Sequence, residues 1–401
     1  MKREYLYQTF LVVVIIGLVF QMIFLFVTQG HGWDASVYCS TANAYKNSSN
    51  PYLVGNLGPS MHMLYQPIFL DVFSFLCGSL GYITTYPFIF LGILLLCVWI
   101  ISDKEEVLFN LTLGIGCFYA FGWSVQSGNF AILELFFFTV GLYFLKKEKW
   151  KWSGLFFGLA ASMKMLPLIY ILAFLIIREK LAIRLKAILF GLIGFSIPLV
   201  FSFLFHPSLI NDFINQLLGK IPGQVPPLLE AGGMSDPAFT RFFSDVFHIS
   251  SSPLSIIIIA IVFSIFFGLP VLVFLLRVVS PLLSTEERTY WLFAAIFILI
   301  TLLMPRLKPY TFLDLFPLFY LIARKESNFR HVIIIVLCVL LPVGIYDLYL
   351  LHLHFKWEIP RVLGLLFDYG SSLSLMLGFI VLLFMKTTKI SYLKGKKAFS
   401  G

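Results

Sequence analysis

Ala187–Phe205, read AILFGLIGFSIPLVFSFLF, is uncharged from end to end. An α-helix needs about 20 apolar residues to cross a hydrocarbon core roughly 30 Å thick. Backbone polar groups in lipid must be satisfied within the segment, so a run of this kind reads as a spanning helix. Leu254–Leu276 is a second such run, and further spans are expected at about 9–28, 64–81, 86–102, 107–123, 130–145, 152–177, 290–304, 310–323, 331–351 and 371–385. Composition agrees: 59% of the 401 residues are hydrophobic and 12% charged, against roughly 45–50% and about 25% in soluble domains. A soluble protein is excluded. The chain reads as an all-α polytopic integral membrane protein of about 11–12 transmembrane helices, forming one transmembrane domain over 1–401.

The formal charge is +9, but the cations gather at the ends of apolar runs and make no basic face, so nucleic acid is not an expected partner. They read instead as topology. The tail 386–401, with Lys386, Lys389, Lys394, Lys396 and Lys397 and no acid, belongs in the cytoplasm, as do Lys2 and Arg3, Arg178–Lys186 and Arg324–Arg330. Two long segments, 29–63 and 206–253, are left outside. Lys146–Lys151 breaks the parity. Either twelve plain helices disobey the rule once, or 152–177 is a re-entrant pair broken near Lys164–Pro167. Phe10–Val27 is too long for a signal peptide core and lacks a small-residue cleavage site, so it reads as a retained helix. The five cysteines form no CxxC and four sit in apolar surroundings, which predicts neither a disulfide nor a zinc site. Walker, GxGxxG and HExxH motifs are absent, and no internal repeat supports the inverted halves of a transporter.

Polar residues gather in a few places. In the first outer loop Ala35, Tyr38, Ala42 and Tyr45 share a helical face, which predicts a short interfacial helix ending at the cluster Asn47–Pro51. Asp34 stands at its start, either as a helix cap or as a general base just outside the bilayer. His62, near Tyr65-Gln66-Pro67, is an interfacial residue or a ligand. Trp123–Asn129 reads as a turn. Lys164 lies deep in an uncharged stretch, where a charge is costly unless it reaches water or a partner, so it is functional or it snorkels. Arg306 and Lys308 sit on a turn that the helix count places outside; they bind an anion such as a phosphate or pair with Asp314 or Asp71. Arg241 is a further phosphate contact or a solvated loop residue.

Taken in order, Trp33-Asp34 through Asn50-Pro51-Tyr52, Tyr65-Gln66-Pro67-Ile68, Gln126-Ser127-Gly128-Asn129, Gly154–Ala160 with Lys164 and Pro167, and Pro305–Tyr310 resemble glycosyltransferase family 87. Its members are polyprenol-phosphate-mannose-dependent mannosyltransferases of the C-type glycosyltransferase fold. The resemblance runs from about residue 10 to 325, with the family's tyrosine-proline-proline replaced by Tyr65-Gln66-Pro67. It implies that Asp34 is the catalytic carboxylate, on the extracytoplasmic side of the plasma membrane, and that transfer inverts the anomeric carbon. Arg306, Lys308, Tyr310, Lys164, His62, Tyr65, Gln126, Asn129 and Arg241 then become candidates for holding substrate and donor phosphate. The implied partners are a polyprenyl-phosphate sugar donor, a glycolipid or glycan acceptor and membrane lipid. Asp34 has no second acid nearby in sequence, so no metal or other cofactor is expected. The chemistry fits, because no nucleotide sugar is available outside the cytoplasm and a lipid-borne sugar needs an apolar groove, cations and one base. A lipid-linked sugar flippase or transporter, and an O-antigen polymerase- or ligase-like enzyme, are the competing classes.

Overall fold

The computed structural model describes residues 3–28, 32–53, 63–116, 120–164, 168–177, 179–221, 238–248, 285–304, 307–324 and 328–398, with scattered residues between 255 and 273. In chain order its helices begin with α1 Arg3–Thr28, α2 Trp33–Lys46, α3 Phe69–Ser79, α4 Tyr82–Ile101, α5 Val107–Gly116 and α6 Ala120–Ser127. They continue with α7 Ala131–Lys146, α8 Trp150–Met163, α9 Leu168–Ala173, α10 Leu181–Phe205, α11 Ile210–Leu217 and α12 Phe239–Val246. The last are α13 Thr285–Leu303, α14 Leu315–Ala323, α15 Asn328–Ile335, α16 Leu341–Phe355 and α17 Arg361–Ala398. The protein is an all-α polytopic membrane protein.

Among the described residues four helical stretches are long and apolar enough to cross a membrane unaided: Glu4–Phe24, Tyr82–Ile101, Leu181–Phe205 and Phe329–Phe355. Two bent pairs, Lys104–Gly116 with Ala120–Ser127 and Arg361–Ser371 with Leu373–Lys386, raise the number to six if each is one span. Other apolar runs are shorter helices; 64–81, for example, holds only the 11 residues of α3, about 16 Å of rise. Most of 254–276 lies outside the described residues. The stretch 152–177 is broken near Lys164, as one of its two readings expected. Helix α8 stops at Met163, Lys164 is extended (φ −144°, ψ 133°) and α9 begins at Leu168.

The chain divides into two compact units. The first, built from 1–21, 103–120 and 231–401, holds α5 and α12 through α17. Here Glu286 and Glu287 on α13 pair with Arg324 and Lys386 respectively. Arg324 and Lys386, from two of the basic segments, thus both pair with the first turn of α13.

The second unit, 22–102 with 121–230, holds α2 through α4 and α6 through α11. Its tightest seam joins α8 to α10. A Cβ on Gly154 would lie 2.0 Å from the Ala187 carbonyl oxygen, one on Gly158 2.0 Å from that of Gly191, and one on Gly194 2.1 Å from that of Leu155. In lipid, where apolar burial gives helices little reason to associate, small residues let backbones approach until dispersion and close packing hold them. The opposite side of α10, with Leu189, Leu192 and Phe203, is left exposed, as a lipid-facing surface is.

Candidate active site

The short helix predicted in this loop forms as α2, burying Ala35, Tyr38, Cys39, Thr41 and Ala42. Its N-cap is Gly32 in the left-handed region (φ 71°), with no side-chain cap. The Asp34 side chain does not cap the helix. Instead the start of α2 docks on the turn after α6. The Gly32 N–H donates to the Gln126 carbonyl at 2.6 Å, and the Tyr82 hydroxyl donates to the Gly128 carbonyl at 3.1 Å. Gly128 has φ +69°, and a Cβ there would stand 2.6 Å from the Ala35 Cβ. Only glycine meets both conditions.

This docking brings Asp34 to Asn129, whose Nδ2 donates to Asp34 Oδ2 at 2.8 Å. Asn129 is 5% exposed, and its Oδ1 accepts from Lys164 Nζ at 2.9 Å and from the Ala131 N–H at 3.0 Å. Lys164 Nζ stands 3.9 Å from Glu134 Oε2. The break after α8 is what frees Lys164 to reach this group. Beside it, Tyr38 and Tyr65 share a hydrogen bond of 3.3 Å, the Tyr52 hydroxyl donates to the Tyr65 carbonyl, and Gln66 Nε2 donates to the Ser162 carbonyl at 3.2 Å. Burial first, then the Tyr65 phenol and the Asp34 carboxylate, push the Tyr38 hydroxyl well above its ordinary pKa. It stays protonated. Trp33, which precedes Asp34 in sequence, and Trp123 meet edge to face, ring centroids 5.9 Å apart.

Sequence-distant motifs thus converge on a group that holds two carboxylates, Asp34 and Glu134, and the Lys164 ammonium. A comparison with protein families matches residues 63–305, more than half of the chain, to the model of glycosyltransferase family 87. The chain belongs to glycosyltransferase family 87. It is a membrane glycosyltransferase, which sets aside the transporter reading. No curated protein matches it. The match covers Tyr65, Gln126, Asn129, Lys164 and Arg241; Asp34 lies ahead of it and Arg306 just beyond.

Of the residues singled out in the sequence, the structure brings Asp34, Tyr65, Gln126, Asn129 and Lys164 of this glycosyltransferase together in the second unit. Gln126 contributes its backbone carbonyl to the docking of α2, and its side chain is buried. Arg241, Lys308 and Tyr310 belong to the first unit. Arg241 is not a solvated loop residue: it sits on α12 and is 3% exposed, because the segment after Pro237 coils into a helix. Lys308 is half-buried in extended backbone, directly before a 3-10 turn over Pro309–Asp314 that carries Tyr310. Asp71, a suggested partner for these cations, is bonded to His206 Nε2 at 2.8 Å. His62 and Arg306 lie outside the described residues.

Three features escaped the sequence reading. Glu134 was hidden inside a run read as a plain span. Cys39 and Cys77 form a disulfide, Cα atoms 5.5 Å apart, against the expectation of none; their separation of 38 positions carries no spacing signal, and α2 and α3 bring them together only on folding. The Tyr45 hydroxyl bonds His206 Nδ1 at 3.1 Å, completing a chain from α2 to Asp71 on α3.

Proposed function

We propose that this glycosyltransferase moves a hexose, mannose by family resemblance, from a polyprenyl-phosphate donor to a lipid-linked or polymeric glycan acceptor, with inversion, on the outer face of the plasma membrane. One observation carries the reading: the Asp34 carboxylate, at the start of an interfacial helix, accepts from Asn129 Nδ2 at 2.8 Å, and the same amide accepts from Lys164 Nζ at 2.9 Å. Asp34 takes the acceptor hydroxyl proton as the oxygen attacks the anomeric carbon, the bond to the donor phosphate breaks, and the polyprenyl phosphate leaves. A general base of this kind contributes typically 10²–10⁴-fold. A single displacement needs one base; a double displacement would want two carboxylates about 5 Å apart in the manner of retaining glycosidases. Arg306 and Lys308, with Arg241, Tyr310 and His62, are proposed to hold the donor, its phosphate stabilised by the cations as charge develops.

The Cys39–Cys77 disulfide supports an outer-face site, because disulfides persist in oxidising compartments and α2 carries both Cys39 and Asp34. The decisive experiment is incubation of membranes with radiolabelled polyprenyl-phosphate mannose, followed by extraction of the lipid and polymer fractions. Label appearing in an acceptor, and lost with Asp34→Asn, supports the reading; no transfer from this or other polyprenyl-phosphate hexoses overturns it. For sidedness, Ser235→Cys is expected to react with an impermeant thiol reagent in intact cells while Thr388→Cys does not, and the reverse pattern inverts the topology.

A further inference from the structure

A general base must present its oxygen along one direction, and a misplacement of about 1 Å can cost on the order of 10²-fold. Asparagine is an ambiguous partner for such a group, since its amide can turn over and exchange donor for acceptor. At Asn129 the ambiguity is removed. Lys164 Nζ and the Ala131 N–H both donate to Oδ1, at 2.9 and 3.0 Å, so Nδ2 has to face Asp34 Oδ2. The lysine is placed in turn by Glu134, whose Oε2 stands 3.9 Å from Nζ and whose side chain is only 4% exposed. Glu134 lies on the first turn of α7, directly after the Asn129 turn, while Lys164 arrives from the broken end of α8.

Resting on the glycosyltransferase reading of this site, we infer that Glu134 and Lys164 are positioning residues. The Glu134 carboxylate places the Lys164 ammonium, the ammonium fixes the Asn129 amide, and the amide sets the plane of the Asp34 carboxylate and with it the direction of the second oxygen. A lysine whose charge is opposed by a buried carboxylate brings little net attraction to a donor phosphate, which separates this role from that proposed for Arg306 and Lys308.

The test uses the purified full-length enzyme with polyprenyl-phosphate mannose, each variant checked for an unchanged unfolding temperature. Lys164→Met and Asn129→Ala are expected to lower kcat by about tenfold to a hundredfold while the donor KM stays within about twofold. The double variant is expected to be no worse than Asn129→Ala alone, because effects that run through one another do not add. Lys164→Arg keeps part of the rate. Should Glu134→Gln fail to fold, Glu134→Gln with Lys164→Met removes both charges and is expected to match Lys164→Met alone. A raised donor KM with kcat retained in Lys164→Met assigns the lysine to the phosphate and overturns the inference, as does additivity in the double variant. A readout without substrate keeps this apart from the proposed reaction: the rate at which a water-soluble carbodiimide modifies Asp34, read by mass spectrometry, should change by the same factor in Lys164→Met, Asn129→Ala and the double variant. Coupled labelling with no sugar transfer refutes the reaction and leaves the network standing; transfer with uncoupled labelling refutes the network.

Discussion

The two halves of α2 are held by different means. At the N-terminal end the backbone presses on the Gly128 turn and one polar chain runs from Asp34 through the buried Asn129 to Lys164 and the buried Glu134. Toward the C-terminal end the helix is tied to α3 by the Cys39–Cys77 bond, to the cap of α10 by Tyr45 and His206, and to α11 through Asn50 Nδ2 on Asp212 at 2.6 Å. The second set is redundant, and Asp71, the acid that His206 holds on its other side, is 54% exposed. Water can replace a lost bond there. At the other end Asn129 and Glu134 are closed off from solvent, so a bond lost by either is not readily replaced by water. One 14-residue helix thus separates anchorage from chemistry.

The sharpest way to break the comparison is Asp34→Asn, which keeps the shape of the side chain but removes the base. Transfer is expected to fall by about 10²–10⁴-fold with thermal unfolding unchanged; purified variant retaining more than about a tenth of the wild-type rate would refute the assignment. At the opposite end, replacing Cys39 and Cys77 by serine should cost about 2–4 kcal/mol of stability. Specific activity of the folded enzyme should hold, and a collapse of kcat at unchanged unfolding temperature would show that the anchoring half also tunes the chemistry. Gly128→Ala sets a Cβ against Ala35 in a left-handed conformation, a strain of about 1–3 kcal/mol; unlike the disulfide change it should lower kcat as well, measured at equal folded fraction. His206→Ala is expected to cost least, about 1 kcal/mol, with no change in kcat, since Asp71 regains water.

The sequence made some of this legible and withheld the rest for physical reasons. Ala187–Phe205 declares its helix because lipid leaves no alternative, although the helix starts earlier, at Leu181. The buried face of α2 follows from its spacing. Lys164 announced itself by depth, and the break that frees it was one of two readings left open by the charge pattern. Asn129 looked like part of a turn, which it is; its side chain matters only because Asp34, 95 residues earlier, folds against it. Glu134 carried the same signal as Lys164, a charge inside an apolar run, but the sequence does not show that its counter-charge stands 30 residues on.

The glycine contacts between α8 and α10 act as a registration key. Gly158 lies six residues before Lys164, about 9 Å along the helix axis, and its Cα rests against the Gly191 carbonyl with no room for a methyl group. Helix α8 therefore has one longitudinal setting on α10, and that setting decides where the ammonium at its end arrives. The placement of the ammonium beside Asn129 is thus set about two helical turns away, in residues with no polar side chain at all, and a change there would masquerade as a fault in the proposed chemistry.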